Sequence, residues 1–222
     1  MVTNDDERQR RMTDSDTPSA HTGPIAAFDF DGTLTTHDSF MAFLRWRSGP
    51  LRYGFGLFQL IPASFCWIFD RDRGRLKAAA VKVFLKGVAR SALKAEAERF
   101  ANEIAHSFFR PDALETWRRH KADGVTMVIV TASPDLIVAP FAARIDADVL
   151  IGTRLRFDSH DRVEGGFDGV NCRGPEKVRR LRESFGDQIR PIAAYGDTSG
   201  DIDMLALAEA GHMGVFTGRP QP

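Results

Sequence analysis

The apolar run Ile25-Ala26-Ala27-Phe28 breaks at once into Asp29-Phe30-Asp31-Gly32-Thr33, and this break constrains the chain more than any other feature. Four apolar residues without alternation read as a strand buried on both faces, the kind that parallel sheets use. Two carboxylates and a glycine directly after it belong at the carboxyl edge of such a sheet, where open α/β folds bind ligands. The pattern recurs. Residues 125–130 run into Thr131-Ala132-Ser133, residues 148–151 read as a third strand, and residues 191–195 run into Gly196-Asp197-Thr198-Ser199-Gly200-Asp201. Residues 213–216 read as a short fifth strand, and residues 175–185 and 202–209 carry helical periodicity. Strands alternating with helices predict an α/β fold built on a doubly wound parallel sheet.

Between the first and second strands the texture is helical. Leu76, Ala79, Ala80, Val83 and Phe84 recur at helical spacing, as do Leu93, Ala97, Phe100, Ile104 and Phe108. Pro111 suits a first helical turn and Gly124 a helix stop. The expected organisation is a polar, disordered tail at 1–23, a core from 24–37 and 124–222, and an inserted helical cap at 38–123. Residues 154–167, with Gly165-Gly166, read as a hairpin or flap. A chain of 222 residues has room for one such domain and a modest insertion.

Thirty basic against thirty acidic side chains exclude a nucleic-acid binder that works through bulk positive charge. Cys66 and Cys172 build neither a disulfide framework nor a metal-ligand spacing, so a reducing compartment is expected. No apolar run marks the first twenty-odd residues, and the expected location is cytoplasmic.

The polar residues that end these runs converge on one concave site: Asp29, Asp31, Thr131, Ser133, Asp197 and Asp201, with Lys177 opening the helix before the fourth strand. Carboxylates crowded in this way repel one another unless a cation neutralises them, and hard oxygen ligands favour Mg2+. A lysine and a threonine hydroxyl supply donors for a dianionic phosphate. Each piece alone has an ordinary reading: a solvated loop, a helix cap, a surface lysine. Their joint occurrence at strand ends points to phosphoryl transfer.

Asp29-Phe30-Asp31-Gly32-Thr33-Leu34-Thr35, Thr131-Ala132-Ser133, Lys177 and Gly196-Asp197-Thr198-Ser199-Gly200-Asp201 resemble the four motifs of the haloacid dehalogenase (HAD) superfamily, over residues 25–216. The insertion point is similar to its phosphoserine-phosphatase-like branch with a small helical cap. The resemblance implies a HAD-like Rossmannoid core and a phosphomonoester hydrolase. It makes Asp29 the nucleophile that forms an aspartyl-phosphate, and Asp31 the acid that protonates the leaving oxygen and then activates water. Thr131 would hold the phosphate and Lys177 would offset charge. Mg2+ would rest on Asp29, the Asp31 backbone carbonyl and Asp197, with Asp201 behind them. The presence of Asp31 sets the chain apart from the dehalogenases, which lack that second acid.

Where phosphoserine phosphatases carry a substrate-reading glutamate nine residues after the nucleophile, this chain has Asp38, and Thr131-Ala132-Ser133-Pro134 replaces their Ser-Gly-Gly. Residues 36–40, Phe43-Leu44-Arg45 and Gly174-Pro175-Glu176-Lys177-Val178 are similar to bacterial type-C phosphatidylglycerophosphate phosphatases. Asp38, Ser133 and His37 are the candidates for substrate contact, His37 and Asp38 reading equally as loop or helix-start residues. Cys172, Trp46, Trp67 and Trp117 read as packing or interfacial residues.

Residues 53–69 contain no charged side chain. As one helix they would span about 25 Å, short of the ~30 Å hydrocarbon core, and Pro62 interrupts them. Between Arg45 and Arg99 twelve bases face four acids. Two readings of residues 45–99 stand: peripheral contact with an anionic membrane, or a buried cap hairpin with arginines on a solvated face. The substrate is accordingly a phospholipid head-group phosphate or a small soluble metabolite such as an amino-acid or sugar phosphate. A regulatory protein that retains the fold without turnover is the remaining alternative.

Overall fold

β1 (Ile25–Phe28) is buried at all four positions because each side chain is apolar and both sheet faces are covered. It lies at the centre of a five-stranded parallel sheet, with two strands on either side. The computed structural model describes residues 23–61 and 73–220. The expected tail through residue 22, and residues 62–69 of the apolar segment with Cys66 and Trp67, lie outside the described residues, as does Arg71.

β2 (Thr126–Pro134) flanks β1 on one side, pairing Phe28 with Ile129, and β3 (Val149–Thr153) lies beyond it. β6 (Ala193–Gly196) flanks β1 on the other side, pairing Phe28 with Tyr195, and β7 (Ala210–Met213) forms the edge. Strand order therefore reverses direction at β1, which places Asp29 at the topological switch point of the sheet. Thr131-Ala132-Ser133 lies inside β2 and not after it, where the register with β3 shifts between Val130 and Pro134.

The last strand is the one that differs from expectation. It runs over Ala210–Met213 and not 213–216. Gly211 packs against the Leu205 carbonyl, which would lie 2.6 Å from a Cβ there, so small residues mark the true strand. At Gly214 (φ +62°) the chain leaves the sheet, and Phe216 folds back to stack on Tyr195 at 5.3 Å.

The inserted block opens with α1 (Ser39–Gln59), which kinks at Gly49-Pro50, continues through α2 (Arg73–Leu85) and closes with α3 (Arg90–Phe108). Its aromatic centre is Phe100, within 5.7 Å of Phe43, Trp46 and Phe141. The hairpin β4 (Leu155–Phe157) and β5 (Val163–Phe167) is antiparallel and is tied to the end of α2 by Gly87 N–H to the Val163 carbonyl and Val163 N–H to the Val88 carbonyl. The two linkers to the sheet lie side by side: Thr36 N–H donates to the Phe108 carbonyl and Arg110 N–H to the Leu34 carbonyl.

α4 (Pro111–Ala122), which periodicity groups with the insertion, lies on the sheet. Trp117 is 1% exposed, meets Phe28 edge-on at 5.0 Å, and donates its indole N–H to the Ile145 carbonyl. α5 (Asp135–Arg144), α6 (Pro175–Phe185) and α7 (Ile202–Leu207) complete the layers. Leu181 of α6 and Met204 of α7 seal the opposite face against Ala27, Val128 and Ala194.

Trp117→Ala removes the largest fully buried side chain beneath β1. It should cost about 3–5 kcal/mol, read as a lowered midpoint of urea unfolding with an unchanged slope.

Candidate active site

Lys177 sits in the first turn of α6, 1% exposed, and its ammonium uses all three protons. Nζ donates to Asp29 Oδ1 at 2.6 Å, to the Val130 carbonyl at 2.6 Å and to Asp201 Oδ1 at 2.7 Å. One lysine thereby joins the end of β1 and the middle of β2 to the loop after β6. The carboxylate of Asp201 spends its second oxygen on that loop, accepting from Thr198 N–H at 2.9 Å and Thr198 Oγ1 at 3.0 Å. Gly196 is required here, since a Cβ would lie 2.4 Å from Asp201 Cβ.

The loop after Asp29 turns through Gly32 at φ +85°. A Cβ on Gly32 would stand 2.1 Å from Asp197 Oδ2, so only glycine allows the two strand ends to approach this closely. Asp31 turns its carboxylate the other way. It accepts from Ser39 N–H at 2.7 Å and from the Ser133 hydroxyl. The two acids of the first motif therefore have different surroundings, one against an ammonium and one against neutral donors.

A cavity of about 250 Å3 opens above these groups. Asp29, Asp31, Lys177, Asp197 and Asp201 all line it, together with His37 and Asp38. Thr131 and Ser133 are fully buried beneath it, with Ser133 N–H donating to Thr131 Oγ1 at 3.0 Å. Asp38 caps α1 by accepting from Met41 N–H, and the His37 ring stacks on Phe108 while bonding Thr36 Oγ1. Cys172 is buried, and burial pushes its thiol up to about 11, so it is a packing residue and not a nucleophile.

Three lining residues escape sequence reasoning: Lys77, Asn171 and Arg173. Lys77 reaches down from α2 to Ser133 Oγ at 3.4 Å and to Asp38 Oδ2 at 3.7 Å. Arg173 bonds the hydroxyls of Thr198 and Ser199. The one available signal was the placement of Asn171 and Arg173 in the loop that feeds the Lys177 helix.

Burial pushes the Asp29 carboxyl up to about 7, against the pull of Lys177 and with further upward pressure from Asp201 and Asp31. Burial and the neighbouring Asp201 raise Asp197 as well, and burial with the charge of Asp38 raises Asp31. For Asp201 burial acts upward, yet Lys177 and the Thr198 donors outweigh it and hold the carboxyl below its ordinary value. Lys177 is held well above the usual lysine range by Asp29 and Asp201, despite its burial. One oxygen each of Asp29, Asp197 and Asp201 lies within 4.8 Å of the others. Carboxylates this close, two of them reluctant to ionise, fit a hard divalent cation.

A family model described as haloacid dehalogenase-like hydrolase matches residues 26–206. Protein CicA of Caulobacter vibrioides is 56% identical over 200 residues, 90% of each chain. The probable phosphatase Rv3661 of Mycobacterium tuberculosis is 26% identical over 228 residues, covering 96% of this chain and 77% of that one. Among solved structures, a protein from Bordetella pertussis Tohama I superposes with a TM-score of 0.69 at 21% identity, over 85% of this chain and 87% of that one. A substrate-bound phosphoserine phosphatase gives 0.56 at 17%, over 84% and 83%.

A carboxyl lifted on folding keeps its proton where the unfolded chain has released it. Metal-free protein should therefore lose stability as pH rises from the ordinary 3.8 towards about 7. Saturating magnesium should raise the melting temperature, and more at about pH 7.5 than at about pH 5, because the added cation replaces protons. Calorimetry showing no magnesium effect at either pH would count against the cation site.

Proposed function

Since the chain belongs to the haloacid dehalogenase-like hydrolase family, we propose that it is a magnesium-dependent phosphatase working through a phosphoryl group carried on Asp29. The observation that carries this reading is the pairing of two carboxylates at one strand end with different hydrogen-bond partners, the Lys177 ammonium for one and the Ser133 hydroxyl with Ser39 N–H for the other. Asp29 is fixed by the Lys177 ammonium through Oδ1, and its Oδ2 is the oxygen we assign to attack phosphorus. Asp31 rests on Ser133 and Ser39, and burial favours its protonated form before the reaction. As the Asp29 O–P bond forms, the ester O–P bond breaks and the leaving oxygen takes the Asp31 proton. Asp31 then accepts a proton from water, whose oxygen attacks phosphorus and releases inorganic phosphate and free Asp29. Lys177 keeps Asp29 aligned and offsets charge on the phosphoryl oxygens, while Thr131, buried beneath the cavity, supports its floor through the Ser133 N–H. The residues that would hold the metal are Asp29, the Asp31 backbone carbonyl and Asp197, with Asp201 behind. When bound, Mg2+ neutralises the clustered acids and withdraws charge from the transferring group. Relatives named as phosphatases, and the second acid Asp31, support hydrolysis of a phosphate ester over dehalogenation.

For the substrate we favour a phospholipid head-group phosphate, such as phosphatidylglycerophosphate, over a soluble metabolite. The second half of α1 exposes Leu51 at 88%, Phe55 at 65% and Phe58 at 68%, and Ile61 just beyond it is exposed as well. Positions 51, 55 and 58 share one helix face, and large apolar residues grouped in this way mark an interaction surface. Arg52 lies exposed beside them, and the basic surplus of residues 45–99 suits an anionic bilayer. No described helix is long and apolar enough to cross a membrane, so the contact is peripheral.

Purified protein should hydrolyse an aryl phosphate only with magnesium. Asp29→Asn should reduce kcat below about one thousandth, and Asp31→Asn should leave at most a few per cent or so of the rate. A tenth of the wild-type rate in Asp29→Asn would remove Asp29 as nucleophile.

Phe55→Ser with Phe58→Ser should cut sedimentation with vesicles containing anionic lipid, along with micellar lipid hydrolysis. Background binding by the unaltered protein at every salt concentration would put the soluble metabolite first.

A further inference from the structure

The loop that carries both catalytic acids is also held from outside the cavity, by Arg110. This residue stands where the inserted block returns to the sheet, directly before α4. Its Nε–H is shared between the carbonyls of Gly32 at 3.1 Å and Thr35 at 3.2 Å. From the same guanidinium, Nη1 donates to the Gly218 carbonyl at 3.1 Å. Residues 217 and 218 are clasped in turn by Asp112, whose Oδ2 accepts both of their N–H groups at 2.8 Å. The clasp is tight: a Cβ on Gly218 would lie 2.5 Å from Asp112 Oδ1.

Gly32 is the point at which such a hold has chemical consequences. Its Cα faces Asp197, and the next residue places the Thr33 hydroxyl 3.5 Å from Asp197 Oδ1. Rotation of the Gly32 peptide would therefore swing Asp31 on one side and Thr33 on the other relative to Asp197. Glycine offers no side chain to resist that rotation. An acceptor bond on its carbonyl does.

We propose that Arg110 is a positioning residue of this active site, and that residues 217–218 form with it a strap fixing the Gly32 peptide against Asp197. The proposal rests on the phosphatase reading of the site. All three acceptors of the side chain are main-chain carbonyls, so the role is directional. A planar guanidinium fork can serve the Gly32–Thr35 pair and Gly218 at once, which a lysine ammonium on a flexible stem does not reproduce. Arg110 does not line the cavity. Its loss therefore acts on the alignment of the reacting groups, which is felt in kcat, and spares substrate affinity.

The test is steady-state kinetics on p-nitrophenyl phosphate with magnesium, for the wild type, Arg110→Gln, Arg110→Lys, Gly218→Ala and the Arg110→Gln/Gly218→Ala double variant. Folded fraction is measured alongside by near-UV circular dichroism. Arg110→Gln should lower kcat per folded molecule at least about tenfold with KM within about threefold, and Arg110→Lys should recover only part of the loss. Gly218→Ala leaves Arg110 intact and should lower kcat about threefold in the same sense, which decides the matter should Arg110→Gln fail to fold. The double variant should be no slower than Arg110→Gln, because both changes release one strap. The wild-type rate tests the phosphatase reading, and the ratio of variant to wild type tests the strap. A kcat per folded molecule within about twofold of wild type in Gly218→Ala and Arg110→Gln overturns the proposal, as does a double variant whose losses multiply.

Discussion

Everything at the carboxyl edge of the sheet depends on one buried ammonium. Lys177 spends its three N–H bonds on Asp29, Asp201 and the Val130 carbonyl, so three chain segments distant in sequence share one point of attachment. Burying that charge is unfavourable, and two carboxylates with full hydrogen bonding offset it. Remove the lysine and two buried acids remain facing each other, with Asp197 beside them. Removing one partner of such a cluster typically costs about 3–5 kcal/mol, so stability and chemistry are bound to the same residue. Asp29 also remains displaced from its ordinary ionisation with Lys177 in place, which leaves room for a divalent cation to complete the neutralisation.

The two halves of the molecule contribute differently to this edge. The core supplies the acids, the lysine and the close glycine contacts, all held by short main-chain spacing. The inserted helices supply Lys77 and Ser39 N–H on one side, and an apolar ridge at Leu51, Phe55 and Phe58 on the outer side. The same helix α1 begins at Asp38, beside the cavity, and ends in that ridge. An exposed apolar ridge and the groups beside the cavity are thus carried on opposite ends of one kinked element.

How much of this was legible from the chain alone follows from how local each signal is. The first four strands of the parallel sheet in chain order are short apolar runs, and local texture is enough to find them. Asp29, Asp31, Asp197 and Asp201 stood out because they follow such runs, and Lys177 because it opens the helix before the fourth run. The edge strand β7 was misplaced by three residues because its pairing depends on Ala210 and Gly211, small residues chosen by contact with Leu205 rather than by hydrophobicity. α4 was grouped with the insertion because periodicity reports a buried face and not which surface covers it; Trp117 covers Phe28. Lys77, Arg173 and Arg110 were invisible as site residues for one reason: their partners, Ser133, Thr198 and Gly32, lie far away along the chain, and a surface cation carries no mark of where it will reach.

The paired linkers carry a consequence for how this architecture can vary. Thr36 and Phe108 are hydrogen-bonded neighbours, as are Leu34 and Arg110, so the excursion between them leaves the sheet and returns through a single gate. With its ends pinned together by main-chain bonds, the excursion is a closed loop, and lengthening such a loop costs little extra entropy for each added residue. Its helices can be exchanged, extended or repacked while the gate, and the acids behind it, keep their places. Substrate range in a chain built this way can drift through the excursion while the reaction itself stays fixed.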